Sequence, residues 1–336
     1  MVETTLADAP RTSDERSTPR RSVALLAVTA MLLAPGSAAA QFPDLASVSA
    51  QYMGPVALEG ADAEVDVTTF DVAANAPIPL AEGTFLIPGI AYRAIGVDVL
   101  GDTSDIDLFG PFHSIDVPVL FVQRLAEDWL FSLRASVSFA GDFADFDSSM
   151  MLFSAVSMVT HSFNDRFVLG AGLFAAYSFG NFLPLPALFV DWEPVDSLKI
   201  TAFVPAFVDV VTTLGDRFEF GVRAEISGNS YGIRDASVTE SWPCAARETD
   251  DPVTEADETV AQTSECIDNI AYSVVSLGVL ANVRVASTLW LGAFGGRTVY
   301  RKFDAQNRSG DSLQDSQTLP AAFLFRLSLT WRIPEP

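Results

Sequence analysis

The chain has 336 residues, and its 43 acidic against 20 basic side chains leave a net charge of −23. So acidic a molecule repels nucleic acid and anionic lipid headgroups, which argues against both as partners. Yet 49% of its residues are hydrophobic; the two facts reconcile if the charge sits in loops and the apolar side chains face lipid.

Residues 1–40 read as an export signal. Arg20 and Arg21 form a basic start, Val23 to Ala34 an apolar run too short for a membrane-spanning helix, and Pro35-Gly36 a break. Ser37-Ala38-Ala39-Ala40 then offers a small-residue cleavage site before Gln41. The removed segment carries four acidic and four basic residues, so the mature chain of about 296 residues keeps the whole negative charge.

From residue 47 onward, apolar and polar residues alternate between turn signals. The clearest hairpin is Ile115 to Phe139. Ile115, Val117, Val119 and Phe121 occupy one face of the first arm, and Trp129, Phe131, Leu133, Ala135, Val137 and Phe139 one face of the second. Ser132, Arg134, Ser136 and Ser138 fill the opposite face, and a period of two is the signature of a β-strand. Trp129 sits at a strand end, where an interfacial aromatic girdle belongs. His113 and His161 read as core or girdle residues. His161 and Ser162 are adjacent, so their side chains point to opposite faces of a strand and do not form a nucleophile–base pair.

Phe167 to Val190 runs 24 residues without a charge, but Gly170, Gly172, Gly180, Asn181, Pro184 and Pro186 are wrong for a helix centre. Two strands joined near Gly180-Asn181 fit better. Pro205 interrupts Leu198 to Leu214 where an outer turn is required, and Phe218 to Ser227 alternates again.

Segment 230–268 is a long acidic loop holding the chain's two cysteines, Cys244 and Cys266, which in an exported protein read as a disulfide. Its carboxylates could hold a divalent cation, but their spacing fits no calcium-loop template, and a solvated, stapled surface loop is the simpler reading. Ser309-Gly310-Asp311-Ser312-Leu313 contains the letters of a serine-esterase signature. No histidine follows Ser312, so the chemistry lacks its base.

The final run, Phe323 to Ile333, places Phe323, Phe325, Leu327, Leu329, Trp331 and Ile333 on every second position. Its length matches one bilayer crossing by a tilted strand, about 9–11 residues. Even parity, with short turns at one end and long loops at the other, predicts an all-β, antiparallel up-and-down outer-membrane β-barrel of 14 strands, or 12 if Leu198 to Leu214 does not split or the first strand pair lies outside the wall.

The lumen face is expected to carry Arg134, Glu219, Arg223, Glu225, Arg284, Arg297 and Arg326, joined by Asp116, Asp209, Arg301 and Arg332. Two readings stay open. The charges form a transverse field in a pore, favouring anions near the arginines. Alternatively, Arg–carboxylate pairs brace a narrow lumen, the reading favoured because an interior charge needs a partner whether or not anything passes.

Leu183-Pro184-Leu185-Pro186-Ala187-Leu188 before Trp192, with Leu198-Lys199-Ile200-Thr201-Ala202-Phe203-Val204-Pro205, resembles an uncharacterised family of Gram-negative outer-membrane β-barrels. That family is known as a domain of unknown function and is distantly similar to barrels of the meta-pathway phenol-degradation type. The resemblance implies the fold and the outer-membrane location and transfers no active site; the cysteine-bearing loop departs from it. The expectation is therefore a channel or passive transporter of small solutes, without cofactor, metal or enzymatic activity. The alternative is a non-conducting structural or surface-interaction barrel presenting the acidic loop. Outer-membrane lipid and, through residues 323–333, the barrel assembly machinery are the expected partners.

Overall fold

The computed structural model describes residues 44–57, 63–101, 111–145, 150–178, 181–234, 267–306 and 317–332. Residues 1–40, Cys244, Cys266 and Ser312 lie outside the described residues. In chain order the strands are β1 (Ala46–Ala57), β2 (Ala63–Asn75), β3 (Ile78–Ala81), β4 (Thr84–Gly101), β5 (Phe112–Ala126), β6 (Trp129–Gly141), β7 (Met151–Asn164) and β8 (Phe167–Ser178). They continue with β9 (Asn181–Val195), β10 (Leu198–Val204), β11 (Phe207–Leu214), β12 (Phe218–Gly232), β13 (Asn269–Arg284), β14 (Leu289–Gln306), β15 (Gln317–Thr318) and β16 (Phe323–Trp331).

Each long strand pairs antiparallel with its neighbours in sequence, and β16 returns to β1 with Trp331 opposite Ala46. The sheet thereby closes on itself. Short β3 hangs on β4 and two-residue β15 on β14, which leaves fourteen strands in the wall. Closure gives every wall strand two partners, so the sheet has no first or last strand with a wholly free edge. The charge-free run Phe167 to Val190 is the β8–β9 hairpin, and among the described residues no helix is long and apolar enough to cross a membrane.

Short turns gather at one end of the barrel, such as Glu127-Asp128 between β5 and β6 and Asp196-Ser197 between β9 and β10. We call this the turn end, and the opposite one the loop end. The outer face is apolar over its whole circumference: Val117, Leu133, Leu173, Val222, Leu277 and Leu327 all stay exposed. Near the turn end it carries aromatic rings. His161 stacks on Trp129 at 4.5 Å and meets Phe163 edge-on, and Phe163 stacks on Phe167.

The inner face changes character along the barrel axis. Towards the loop end it is a packed apolar core built from Met53, Val67, Ile95, Phe112, Tyr231 and Ile270 with their neighbours. Towards the turn end it is charged. At the loop end, moreover, two walls touch. Gly232 of β12 pairs with Gly141 of β6 although β7 to β11 lie between those strands in the wall, and the Asp142 N–H donates to the Gly232 carbonyl at 3.1 Å. Only glycines permit this approach, because a Cβ on Gly141 would lie 2.8 Å from the Gly232 oxygen. Met150, fully buried, packs over the junction.

Candidate functional site

The turn-end half of the lumen is where the sheet brings charged side chains from many strands together. Strand alternation decides which side chains reach it. On β12, Glu219, Arg223 and Glu225 lie inward because Phe218, Phe220, Val222 and Ile226 occupy the exposed outer positions. Register carries this parity to the neighbours, with Asp209 opposite Arg223 and Asn282 opposite Glu219.

The charges meet in pairs. Arg223 donates two parallel hydrogen bonds to Asp209, at 2.7 and 2.6 Å, and approaches Glu225 at 3.9 Å. Arg326, reaching over from β16, pairs with Glu225. Arg332 bonds both oxygens of Glu219 at 2.8 and 3.1 Å, and Asn282 donates to the same carboxylate at 2.8 Å. Arg93 holds Asp71 at 2.5 Å, Arg134 holds Asp116 at 3.3 Å, and Lys199 bridges Asp191 and Glu193. Arg284 lies 3.9 Å from Asp216 and, with Arg332, stacks on the inward ring of Trp290. The forked Arg223–Asp209 pair ties adjacent strands, while Arg326–Glu225 and Arg332–Glu219 link the β16 end of the wall to β12, each satisfying donors and acceptors together.

Six of the seven expected lumen residues, Arg134, Glu219, Arg223, Glu225, Arg284 and Arg326, lie on the inner face. Arg297 is a correction. It stands opposite Leu277 and Phe323, both outward, and its guanidinium lies 5.7 Å from the Phe323 ring. The cause is a bulge in β14. Tyr300 faces Val275 and Thr298 faces Ser276, so Val299 is an extra residue that reverses the faces between Arg297 and Arg301.

Arg301 consequently points inward, fully buried within the apolar loop-end core. Among the described residues no carboxylate pairs with its guanidinium, and the polar group beside it is the Tyr272 hydroxyl. Arg93, Asp71, Asp191 and Lys199 also belong to the lumen and were not singled out from the sequence. Strict alternation from the neighbouring outward residues Tyr92, Phe70 and Trp192 was the signal that could have found them.

Between the charged layer and the apolar core lies a cavity of about 300 Å³. Asp71, Arg93, Glu225 and Arg326 form its polar side, while Met53, Ile95, Tyr231 and Val274 form its apolar side. No group of His, Cys, Asp and Glu among the described residues could hold a metal ion. His113 accepts or donates one hydrogen bond with the Tyr92 hydroxyl at 2.8 Å, and His161 lies 3.2 Å from the Asp128 carbonyl oxygen.

A family model described as "Domain of unknown function (DUF6268)" matches residues 110–332, from just ahead of β5 to the end of β16. No curated protein matches the chain. Among solved structures, the NanC porin is similar at 8% identity and TM-score 0.35, over 86% of this chain and 100% of that one. The toluene transporter TodX of P. putida is similar at 7% identity and TM-score 0.36, over 91% and 94%. LpxR from Salmonella typhimurium is similar at 7% identity and TM-score 0.32, over 85% and 100%. At these identities the likeness is one of barrel fold alone.

Proposed function

Because the chain belongs to the DUF6268 family, a domain of unknown function, its role rests on the barrel itself, and we propose an outer-membrane barrel that passes small solutes passively. Residues 1–40 serve as the export signal and residues 323–333 as the strand read by the assembly machinery. Outer-membrane placement is supported by an exposed apolar belt on a closed barrel, which water would not tolerate and lipid would. The cavity of about 300 Å³ in the lumen carries the solute reading, since a barrel serving only as a wall needs no polar chamber beneath its core.

The core above that chamber makes the resting state closed towards the loop end. Brief, discrete openings in planar bilayers are expected of the whole protein, and more frequent openings after Tyr231→Ala with Tyr272→Ala trims the core. A barrel that is folded and heat-modifiable yet silent in both forms would sink the transport reading. The pairing of the lumen arginines favours one second reading, a non-conducting barrel braced from within and presenting the 230–268 loop. Silence of the trimmed variant is the outcome that would select it.

A further inference from the structure

The wall has a notch. β10 has 7 residues and β11 has 8, whereas the flanking β9 and β12 have 15 each. Val204 ends opposite Leu188, and Phe207 begins opposite Glu225. Among the described residues, 181–187 of β9 and 227–231 of β12 therefore have no strand beside them on the hairpin's side. The top of β12 pairs not with β9 but, across the lumen, with Gly141 of β6.

The notch is also built to resist zipping. The Glu193 N–H donates to the Arg166 carbonyl at 2.8 Å, on the β8 side. N–H direction alternates along a strand, so odd positions of β9 serve β8 and even positions face the hairpin or, above it, the notch. Pro184 and Pro186 occupy even positions above Leu188 and offer no N–H there. On the facing edge, the Ile226 N–H makes the last wall bond, to the Ala206 carbonyl at 2.7 Å. Above it, the Ser230 N–H turns to the Asn229 side-chain oxygen at 3.0 Å.

The lumen cavity reaches this opening. Phe207, Ile226, Ser227 and Gly228, all at the notch, line the same space as Arg93 and Arg326 inside the lumen. Ile226 is an outward residue, so the cavity's lining passes from the inner to the outer face at this point. The hairpin rises only about 18 Å along the barrel axis, from roughly 3.3 Å per residue at a tilt near 40°, against an apolar belt about 25 Å tall. The sill at Pro205-Ala206 thus lies within the belt.

We propose that the notch is a lateral portal through which small amphiphiles, with an apolar body and one polar group, pass between the acyl chains of the outer leaflet and the lumen cavity. The proposal rests on the solute reading above and specifies its route and its substrate class. Apolar Met53, Ile95 and Phe207 suit the body, and the Arg93–Asp71 and Arg326–Glu225 pairs offer both donors and acceptors to the polar group. Volume restricts the occupant to roughly the lower limit of ligand pockets, about 300 Å³.

Two measurements on the full-length protein test this. A photoreactive p-benzoylphenylalanine is placed at Phe207, which faces the lumen at the sill, at Phe220 on the outer face, and at Phe294 in the lumen away from the notch. Phospholipid adducts are expected at Phe207 and Phe220 and not at Phe294; a Phe207 signal no higher than that of Phe294 overturns the portal. Radiolabelled octanoate is then bound to protein in nanodiscs, with empty nanodiscs as the baseline. Ser227→Trp, checked for heat-modifiable folding, is expected to lower binding at least tenfold, with Ser227→Phe as the second variant should the first fail to assemble. Undiminished octanoate binding in the folded variant overturns the lateral route while leaving passage of solutes intact. No binding above the baseline by the unmodified protein overturns the amphiphile class.

Discussion

Arg297 and Arg301 are four positions apart, on the same face of any regular strand, yet one points to the outside of the barrel and the other into its core. One extra residue, Val299, accounts for the difference. Arg301 has no carboxylate partner among the described residues, only the Tyr272 hydroxyl beside it, and a buried charge so weakly compensated is a liability that an apolar residue of similar volume relieves. Arg301→Met is therefore expected to raise stability in urea titrations of the vesicle-embedded barrel. A loss of stability would show that the contact with the Tyr272 hydroxyl outweighs the cost of burying the guanidinium. Parity is tested more simply on β16. Leu327→Arg is expected to impair assembly, because a midplane arginine facing lipid costs roughly 2–4 kcal/mol, whereas Ser328→Arg, towards the lumen, is tolerated. Equal damage from both would reverse the assignment of faces. At this scale the sequence was a good guide wherever a strand runs regularly, as on β12, where Phe218, Phe220 and Val222 give away the inward Glu219 and Arg223. It misled at Arg297, because a bulge leaves no mark in the alternation of residue types when Arg, Thr, Val and Tyr follow one another.

Pro205 was enough to split Leu198 to Leu214 into β10 and β11, and Gly180-Asn181 to divide the charge-free run into β8 and β9. Both breaks are local, and turn residues announce them. The contact between β6 and β12 is of another kind. It depends on two glycines 91 positions apart, Gly141 and Gly232, approaching across the lumen, and nothing in either strand's own pattern points to the other. The notch was hidden for a similar reason: a short hairpin is visible in sequence, but its consequence depends on how far its neighbours rise beside it. The loop between β12 and β13 yields an element-scale test of the disulfide proposed for Cys244 and Cys266. Reduction is expected to sensitise residues 244–266 to protease while the barrel stays heat-modifiable, because closing a loop of about 22 residues restrains the loop by roughly 3 kcal/mol and leaves strand pairing untouched. Should protease and thiol reagents fail to reach this segment in intact cells even after reduction, the loop end would face the periplasm.

Fourteen wall strands place both ends of the barrel's chain at the turn end, where Leu45 donates to the Trp331 carbonyl at 2.8 Å. Protein begun near Gln41 is expected to fractionate with the outer membrane and to migrate differently on gels with and without boiling; a species recovered from the periplasm without detergent would contradict the membrane assignment. The closure between β1 and β16 has a kinetic consequence. Ala46 and Trp331 are 285 positions apart, so the last seam joins the two most distant parts of the wall, whereas most other seams join consecutive strands. Contacts of such high sequence separation form slowly, since loop-closure entropy precedes any gain from them. Until that seam forms, β1, held by β2, and β16, held by β14, each leave one edge of backbone donors exposed. Assembly is thus expected to wait on a single encounter between the chain's extremes, and the half-finished sheet, rather than the finished barrel, is the species most prone to aggregate.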